Sequence, residues 1–221
     1  MTGPNKREAA LENIRRIGIV PVIRAQTADA AFAVAEALIG AGLSIAEVTM
    51  TVPGALDVIT SISKRFGDCV LVGAGTVTDV ATAKRAIDVG AQFIVTPCLI
   101  PEVIEATLKK DVAVLPGALT PTEVFTAHRL GGDMIKVFPV GVGGAPYVRA
   151  LRGPFPTIPL VPTGGITLDN VRDMFDAGAA AVGVGSELIS RDALARQDYA
   201  AIGRMAEMFL AASHPGRGAT V

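Results

Sequence analysis

The stretch Asp88-Val89-Gly90-Ala91-Gln92-Phe93-Ile94-Val95-Thr96-Pro97 decides the fold. Its first half closes a helical pattern with a glycine, which tolerates the left-handed conformation that ends a helix. Its second half is a short apolar and β-branched run stopped by a proline, the mark of a buried strand. The same joint recurs at Ile39-Gly40-Ala41-Gly42-Leu43 and at Asp176-Ala177-Gly178-Ala179-Ala180, and Gly67 and Gly132 stand in comparable places. Helices that repeatedly hand over to short apolar strands predict parallel strands joined by crossover helices.

Working outward, strands are expected at residues 19–24, 45–50, 70–74, 93–96, 113–115, 134–138, 160–162 and 181–184. Pro53, Asp79, Pro101, Pro121 and Asp169 fall at or near helix starts, as first-turn prolines or capping carboxylates. Eight strands in 221 residues predict an α/β chain folded as one small (β/α)8 TIM barrel over 1–221, with a helix before the first strand. Residues 1–5 and 213–221 are expected to be frayed tails. The main competitor is an open doubly wound sheet, but its Gly-rich dinucleotide fingerprint is not evident after the first strand.

Composition removes several function classes. With 20 basic against 21 acidic residues and no long basic run, there is no electrostatic footprint for nucleic acid or an anionic membrane. No apolar stretch is long enough to span a bilayer, and the first residues lack the pattern of a secretory signal. Two cysteines, Cys69 and Cys98, argue against a disulfide framework and fit a reducing cytoplasm. They and the two histidines, His128 and His214, are scattered without ligand spacing, so no metal site is expected. His128 reads as a surface helix residue and Cys98 as a small loop or core hydrophobe.

One residue breaks the apolar patterning. Lys136 lies inside Met134-Ile135-Lys136-Val137-Phe138-Pro139, whereas the other five lysines fall in polar or helical context. Burying an ammonium is costly unless it is paired or loses its proton, and a lysine pushed toward neutrality is a nucleophile.

In a (β/α)8 barrel, catalytic groups project from the C-terminal strand ends. The polar residues expected there are Lys136, Arg24, Glu47, Thr49, Thr51, Thr76 and Thr96-Pro97. Side chains alternate along a strand, so Met134, Lys136 and Phe138 share a face, as do Ile45, Glu47 and Thr49. If both faces are the interior, Lys136 and Glu47 meet in one cavity, and Arg24, on the parity of Val20 and Val22, joins them. A lysine can form a Schiff base with a ketone, a carboxylate can shuttle protons, and an arginine can grip a substrate carboxylate. The structural alternative is a buried Lys-Glu ion pair that belongs only to the core, with Arg24 in a rim salt bridge.

The second half adds Pro162-Thr163-Gly164-Gly165-Ile166 and Gly183-Val184-Gly185-Ser186, after the last two expected strands. Backbone amides freed by glycines at these two ends form the usual barrel phosphate cradle, although each glycine pair alone is more often turn chemistry.

These segments together resemble the 2-keto-3-deoxy-6-phosphogluconate (KDPG) and 4-hydroxy-2-oxoglutarate (KHG) aldolase family. The resemblance is carried in order by Ile19-Val20-Pro21-Val22-Ile23-Arg24, Glu47-Val48-Thr49-Met50-Thr51, Gly73-Ala74-Gly75-Thr76-Val77, Phe93-Ile94-Val95-Thr96-Pro97, Leu115-Pro116-Gly117, Ile135-Lys136-Val137-Phe138-Pro139, Gly153-Pro154-Phe155-Pro156 and Pro162-Thr163-Gly164-Gly165. It implies a class I aldolase that needs no metal or cofactor, with Lys136 as Schiff-base residue and Glu47 as general acid/base. It implies Thr76, Pro97, Phe138 and an arginine around the pyruvyl group, and Thr163, Gly164, Gly165, Gly185 and Ser186 at the phosphate. Many members carry an arginine where this chain has Thr51, and another branch places it at the end of the first strand, where Arg24 stands. The carboxylate-gripping role therefore goes to Arg24, with Thr51 as a polar wall. The resemblance further implies a phosphorylated keto-acid substrate, cleaved in Entner-Doudoroff type sugar-acid catabolism, a cytoplasmic location and a homotrimer. Cleavage of KHG or of the galactonate epimer is the nearest alternative. A silent phosphate-binding barrel and a phosphosugar isomerase are the alternatives of other classes.

Overall fold

A computed structural model describes residues 5–213 of the chain. Parallel strands alternate with helices except where the strand Gly117–Ala118 follows the strand Ala113–Leu115 and the helix Tyr199–Ser213 follows the helix Arg191–Arg196. The order is α1 (Lys6–Ile17), β1 (Ile19–Ile23), α2 (Ala28–Gly40), β2 (Ile45–Thr49), α3 (Ala55–Phe66), β3 (Leu71–Gly75), α4 (Val80–Asp88), β4 (Phe93–Val95), α5 (Pro101–Leu108), β5 (Ala113–Leu115) and β6 (Gly117–Ala118). It continues with α6 (Pro121–Arg129), β7 (Ile135–Val137), α7 (Gly144–Arg152), β8 (Leu160–Pro162), α8 (Val171–Asp176), β9 (Val182–Val184), α9 (Arg191–Arg196) and α10 (Tyr199–Ser213). Among the described residues no helix is long and apolar enough to cross a membrane.

Local chemistry sets the boundaries. Asn5, expected in a tail, caps α1 through a reciprocal bond pattern with Glu8, and Thr120 and Glu123 do the same for α6. Asp79 caps α4, Pro101 and Pro121 begin α5 and α6, and Pro53 and Asp169 lie just ahead of α3 and α8. Gly42, Gly67, Gly90 and Gly178 have the positive φ expected of helix-closing glycines. At the joint after α6 that role falls to Gly131 (φ 94°), not Gly132. Gly132 is instead a packing position, where a Cβ would lie 2.6 Å from the Pro116 ring. Ser213, also expected in a tail, is the last residue of α10, while residues 1–4 and 214–221, including His214, lie outside the described residues.

Six strands run side by side in the order β5-β4-β3-β2-β1-β9, and three more in the order β6-β7-β8. Nine strands are present among the described residues where eight were expected, because a further short strand, Gly117–Ala118, follows the expected stretch 113–115 on the far side of Pro116. A proline has no amide to donate, so the ladder breaks there. Before it, β5 pairs with β4; after it, β6 pairs with β7, with Gly117 opposite Lys136. A bridge between Thr163 and Gly183 links the residue after β8 to β9. Every strand is buried along its whole length, as parallel strands covered on both faces must be.

The end opposite the functional residues is pinned by charge. Arg7 on α1 donates from Nη2 and Nε to Asp133 at 2.7 and 3.1 Å, and Asp133 also accepts from the Val114 amide at 2.9 Å. Asp133 stands just ahead of β7, so this network ties the first helix to the strand that carries Lys136.

Candidate active site

Among the described residues seven polar ones are buried, and of these Glu47, Thr49 and Lys136 come from strands β2 and β7. Lys136 is 4% exposed and Glu47 2%. Lys136 Nζ lies 3.9 Å from Glu47 Oε1, so the two expected partners meet in the buried interior. The separation is an ion-pair distance but too long for a hydrogen bond, and Oε1 is buried with no hydrogen-bond partner among the described residues. A buried pair that served only stability would need close, fully hydrogen-bonded geometry to offset its desolvation. Here the groups stand apart, beyond hydrogen-bonding distance. Burial pushes the Glu47 carboxyl above its ordinary value, opposed by the positive charges of Lys136 and, more weakly, Arg24. A carboxyl tuned upward is a stronger base than an ordinary carboxylate and suits a group that takes and returns a proton.

Glycines missing from the site expectations make this room. A Cβ at Gly75 on β3 would lie 2.0 Å from Glu47 Oε1, so the carboxylate occupies the space a side chain there would fill. A Cβ at Gly117, across the ladder from Lys136, would lie 2.4 Å from the Pro97 carbonyl carbon, which lets Pro97 approach. Thr96 Oγ1 accepts from the Gly117 amide at 3.1 Å and donates to the Cys98 carbonyl at 2.6 Å, fixing the turn at Pro97. The signal for both glycines lay in the sequence, as small residues interrupting apolar strands.

Phe138 follows β7, and the Lys136 ammonium lies 5.4 Å from its ring centroid. The ring also approaches Gly164, where a Cβ would lie 3.0 Å away. Thr76 has φ 57°, a left-handed conformation that a β-branched residue adopts only under constraint. It sits immediately after β3, next to Gly75.

Arg24 departs from its expected place. It lies one residue beyond β1, exposed, rather than in the interior with Lys136. Its side chain reaches toward Gly185, where a Cβ would lie 3.3 Å from Nη1, and it lines a cleft of about 580 Å³ with Thr51 and Ser186. Its charge still acts on Glu47. Thr51 is exposed, and its hydroxyl lies 2.7 Å from that of buried Thr49, which itself donates to the Ile23 carbonyl at 3.0 Å.

Gly164 and Gly165 have φ 82° and 85°, and a Cβ at Gly165 would lie 3.0 Å from the Gly141 Cα, a tight contact. Asn170 holds the turn by donating to the Gly165 carbonyl and accepting from the Thr167 amide. Thr163 does not join this surface. The residue is 5% exposed, its hydroxyl donates to the Val161 carbonyl at 3.2 Å and its side chain packs against Gly183, so it holds the seam between β8 and β9. Cys69 and Cys98 are exposed thiols, which removes the core alternative for Cys98, and His128 is exposed on α6. Among the described residues no group of three or more His, Cys, Asp or Glu side chains could hold a metal ion.

Residues 11–205 match the family model described as KDPG and KHG aldolase. The chain is 35% identical over 174 residues to the 2-dehydro-3-deoxy-6-phosphogalactonate aldolase of Escherichia coli K12, covering 78% of this chain and 85% of that one. It is 32% identical over 200 residues to the 2-dehydro-3-deoxy-phosphogluconate aldolase of Treponema pallidum, covering 90% and 95%. Among solved structures it resembles the KDPG aldolase of Legionella pneumophila with pyruvate captured as a covalent carbinolamine, with a TM-score of 0.83, 28% identity and coverage of 90% and 96%.

Proposed function

The chain belongs to the KDPG and KHG aldolase family, and from that premise we propose that it is a class I aldolase cleaving 2-keto-3-deoxy-6-phosphogluconate to pyruvate and glyceraldehyde 3-phosphate. The observation that carries this reading is the buried Lys136–Glu47 pair, 3.9 Å apart, with Oε1 hydrogen-bonded to none of the described residues. Lys136 adds to the C2 ketone, and loss of water gives an iminium that withdraws electrons from C3. Glu47 takes the C4 hydroxyl proton, the C3–C4 bond breaks, and glyceraldehyde 3-phosphate leaves. The enamine on Lys136 is protonated at C3 and hydrolysed to pyruvate, a step that takes back one water and frees the amine.

Thr76, Pro97 and Phe138 shape the pyruvyl pocket in this reading. Arg24, with Thr51 as a polar neighbour, supplies positive charge for a substrate anion, and Gly164, Gly165, Gly185 and Ser186 receive the phosphate. Thr163 is left out of the cradle because its hydroxyl is committed to Val161. We read the two sheets as one closed (β/α)8 barrel and a single domain, a view supported by the Leu115-Pro116-Gly117 link and the Thr163–Gly183 bridge. A homotrimer in the cytoplasm completes the proposal, and light scattering tests the assembly.

The galactonate epimer is a second reading, favoured by the similarity to the phosphogalactonate aldolase of Escherichia coli K12. Catalytic efficiencies on the gluconate epimer, the galactonate epimer and KHG, measured side by side, decide between them. A clear preference for the gluconate epimer supports the proposal. A preference for either of the others replaces it.

A further inference from the structure

The cleft holding Arg24 contains a second arginine that the reading above leaves idle. Arg191 lines it together with Arg24, Thr51, Gly185 and Ser186, and no carboxylate is among the lining residues. Among the described residues neither arginine has a carboxylate within ion-pair distance. The nearest acid in sequence, Asp192, is committed to Arg196 at 2.8 Å. Arg191 is also poorly placed for its own helix. It opens α9, where Ser190 already caps the Ala193 amide, and a cation in the first turn opposes the helix dipole. Helix stability therefore gives no reason for an arginine here. Two uncompensated guanidinium groups in one cleft do have a use, which is to hold the two anionic ends of one substrate.

We propose that Arg191 is a specificity-determining residue that, sharing the cleft with Arg24, selects substrates whose far end is a doubly charged phosphate over those ending in a carboxylate. Arg24 directly follows β1 and its charge acts on Glu47, so it serves the reacting end, while Arg191, at the start of α9, serves the far end. The inference rests on the reading of the chain as an aldolase for phosphorylated keto acids.

The test compares the wild type, Arg191→Gln and Arg191→Lys on KDPG and on KHG, whose far end is a carboxylate. In Arg191→Gln the ratio of kcat/KM for the two substrates falls at least about ten-fold, as expected for one lost charge-assisted hydrogen bond. Arg191→Lys recovers part of it, because it keeps the charge but not the planar fork. Inhibition by inorganic phosphate weakens by a similar factor in Arg191→Gln. An unchanged ratio with unchanged phosphate inhibition overturns the proposal, and so does an equal loss on both substrates. Exchange of pyruvate methyl protons with solvent deuterium by the wild type keeps the two levels apart. If it is absent, the aldolase reading itself fails; if it is present while the ratio holds, only the role of Arg191 fails.

Discussion

Replacing Gly75 by alanine inserts one methyl group into the space that Glu47 occupies. The new Cβ would stand 2.0 Å from Oε1 and 2.7 Å from the carboxyl carbon, against ordinary contacts of 3.4 Å or more. Gly75 is an ordinary strand residue without a positive φ, so the backbone accepts alanine and the side chain of Glu47 must yield. The carboxylate has to retreat by more than about 1 Å, a misplacement that costs on the order of 10²-fold in rate. That corresponds to about 2.7 kcal/mol of transition-state stabilisation. The fold loses less, about 1 kcal/mol, because the clash is with the end of a side chain rather than with backbone. Steady-state cleavage of KDPG, coupled to reduction of the released pyruvate, measures the rate, and thermal melting measures the fold. Gly40→Ala is the control, since a Cβ there meets nothing within 4 Å, and it should leave kcat/KM unchanged. Activity of Gly75→Ala within about three-fold of wild type, against the ~10²-fold expected, would refute the placement of Glu47 as the proton-transfer group.

Glu47→Gln should lower kcat/KM by about 10²- to 10⁴-fold, the usual contribution of a general acid/base, while Lys136 still forms an adduct with pyruvate. The same variant tests the electrostatics. A carboxyl whose folded-state pKa is raised favours the fold most below its ordinary value of 4.5, and that advantage is lost as pH rises through the raised value. The Tm of Glu47→Gln relative to wild type should therefore improve with rising pH, and a relative decline contradicts burial as the dominant influence. Thr76→Gly relieves a left-handed threonine, so Tm should hold or rise while kcat/KM falls about ten-fold through loss of the hydroxyl; an unchanged kcat/KM removes Thr76 from the pocket. Asp133→Ala removes the bidentate Arg7 contact and the acceptor for the Val114 amide, and should cost about 2 kcal/mol in urea denaturation. A loss below about 0.5 kcal/mol would make that contact an ordinary surface pair.

Much of this was legible in the chain itself, for physical reasons that differ by residue. Lys136 and Glu47 could be paired from sequence because strand periodicity fixes which side chains face inward, and two opposite charges set in apolar strands are costly unless they meet. The helix-to-strand joints were readable because a positive φ falls mostly to glycine, though which of Gly131 and Gly132 carries it depends on packing against Pro116. Arg24 was misplaced because its parity was extended one residue past the end of β1, where the strand rule no longer applies. Thr163 was assigned by its neighbours, and only the three-dimensional contact with Gly183 revealed that its hydroxyl faces the seam. Gly75 and Gly117 matter for what they leave out, and the neighbour that needs the space lies elsewhere in the chain. Asp192 and Arg196 likewise had to be seen as a pair before Arg191 stood alone.

The central claim is that Lys136 is the amine that carries pyruvate. Incubating the enzyme with pyruvate and borohydride, followed by peptide mass spectrometry, tests it directly. A reduced pyruvyl adduct on the peptide containing Lys136, with matching loss of activity, is the predicted result. Cleavage of the keto acid by an enzyme that yields no adduct, or yields it on a different lysine, would contradict the account.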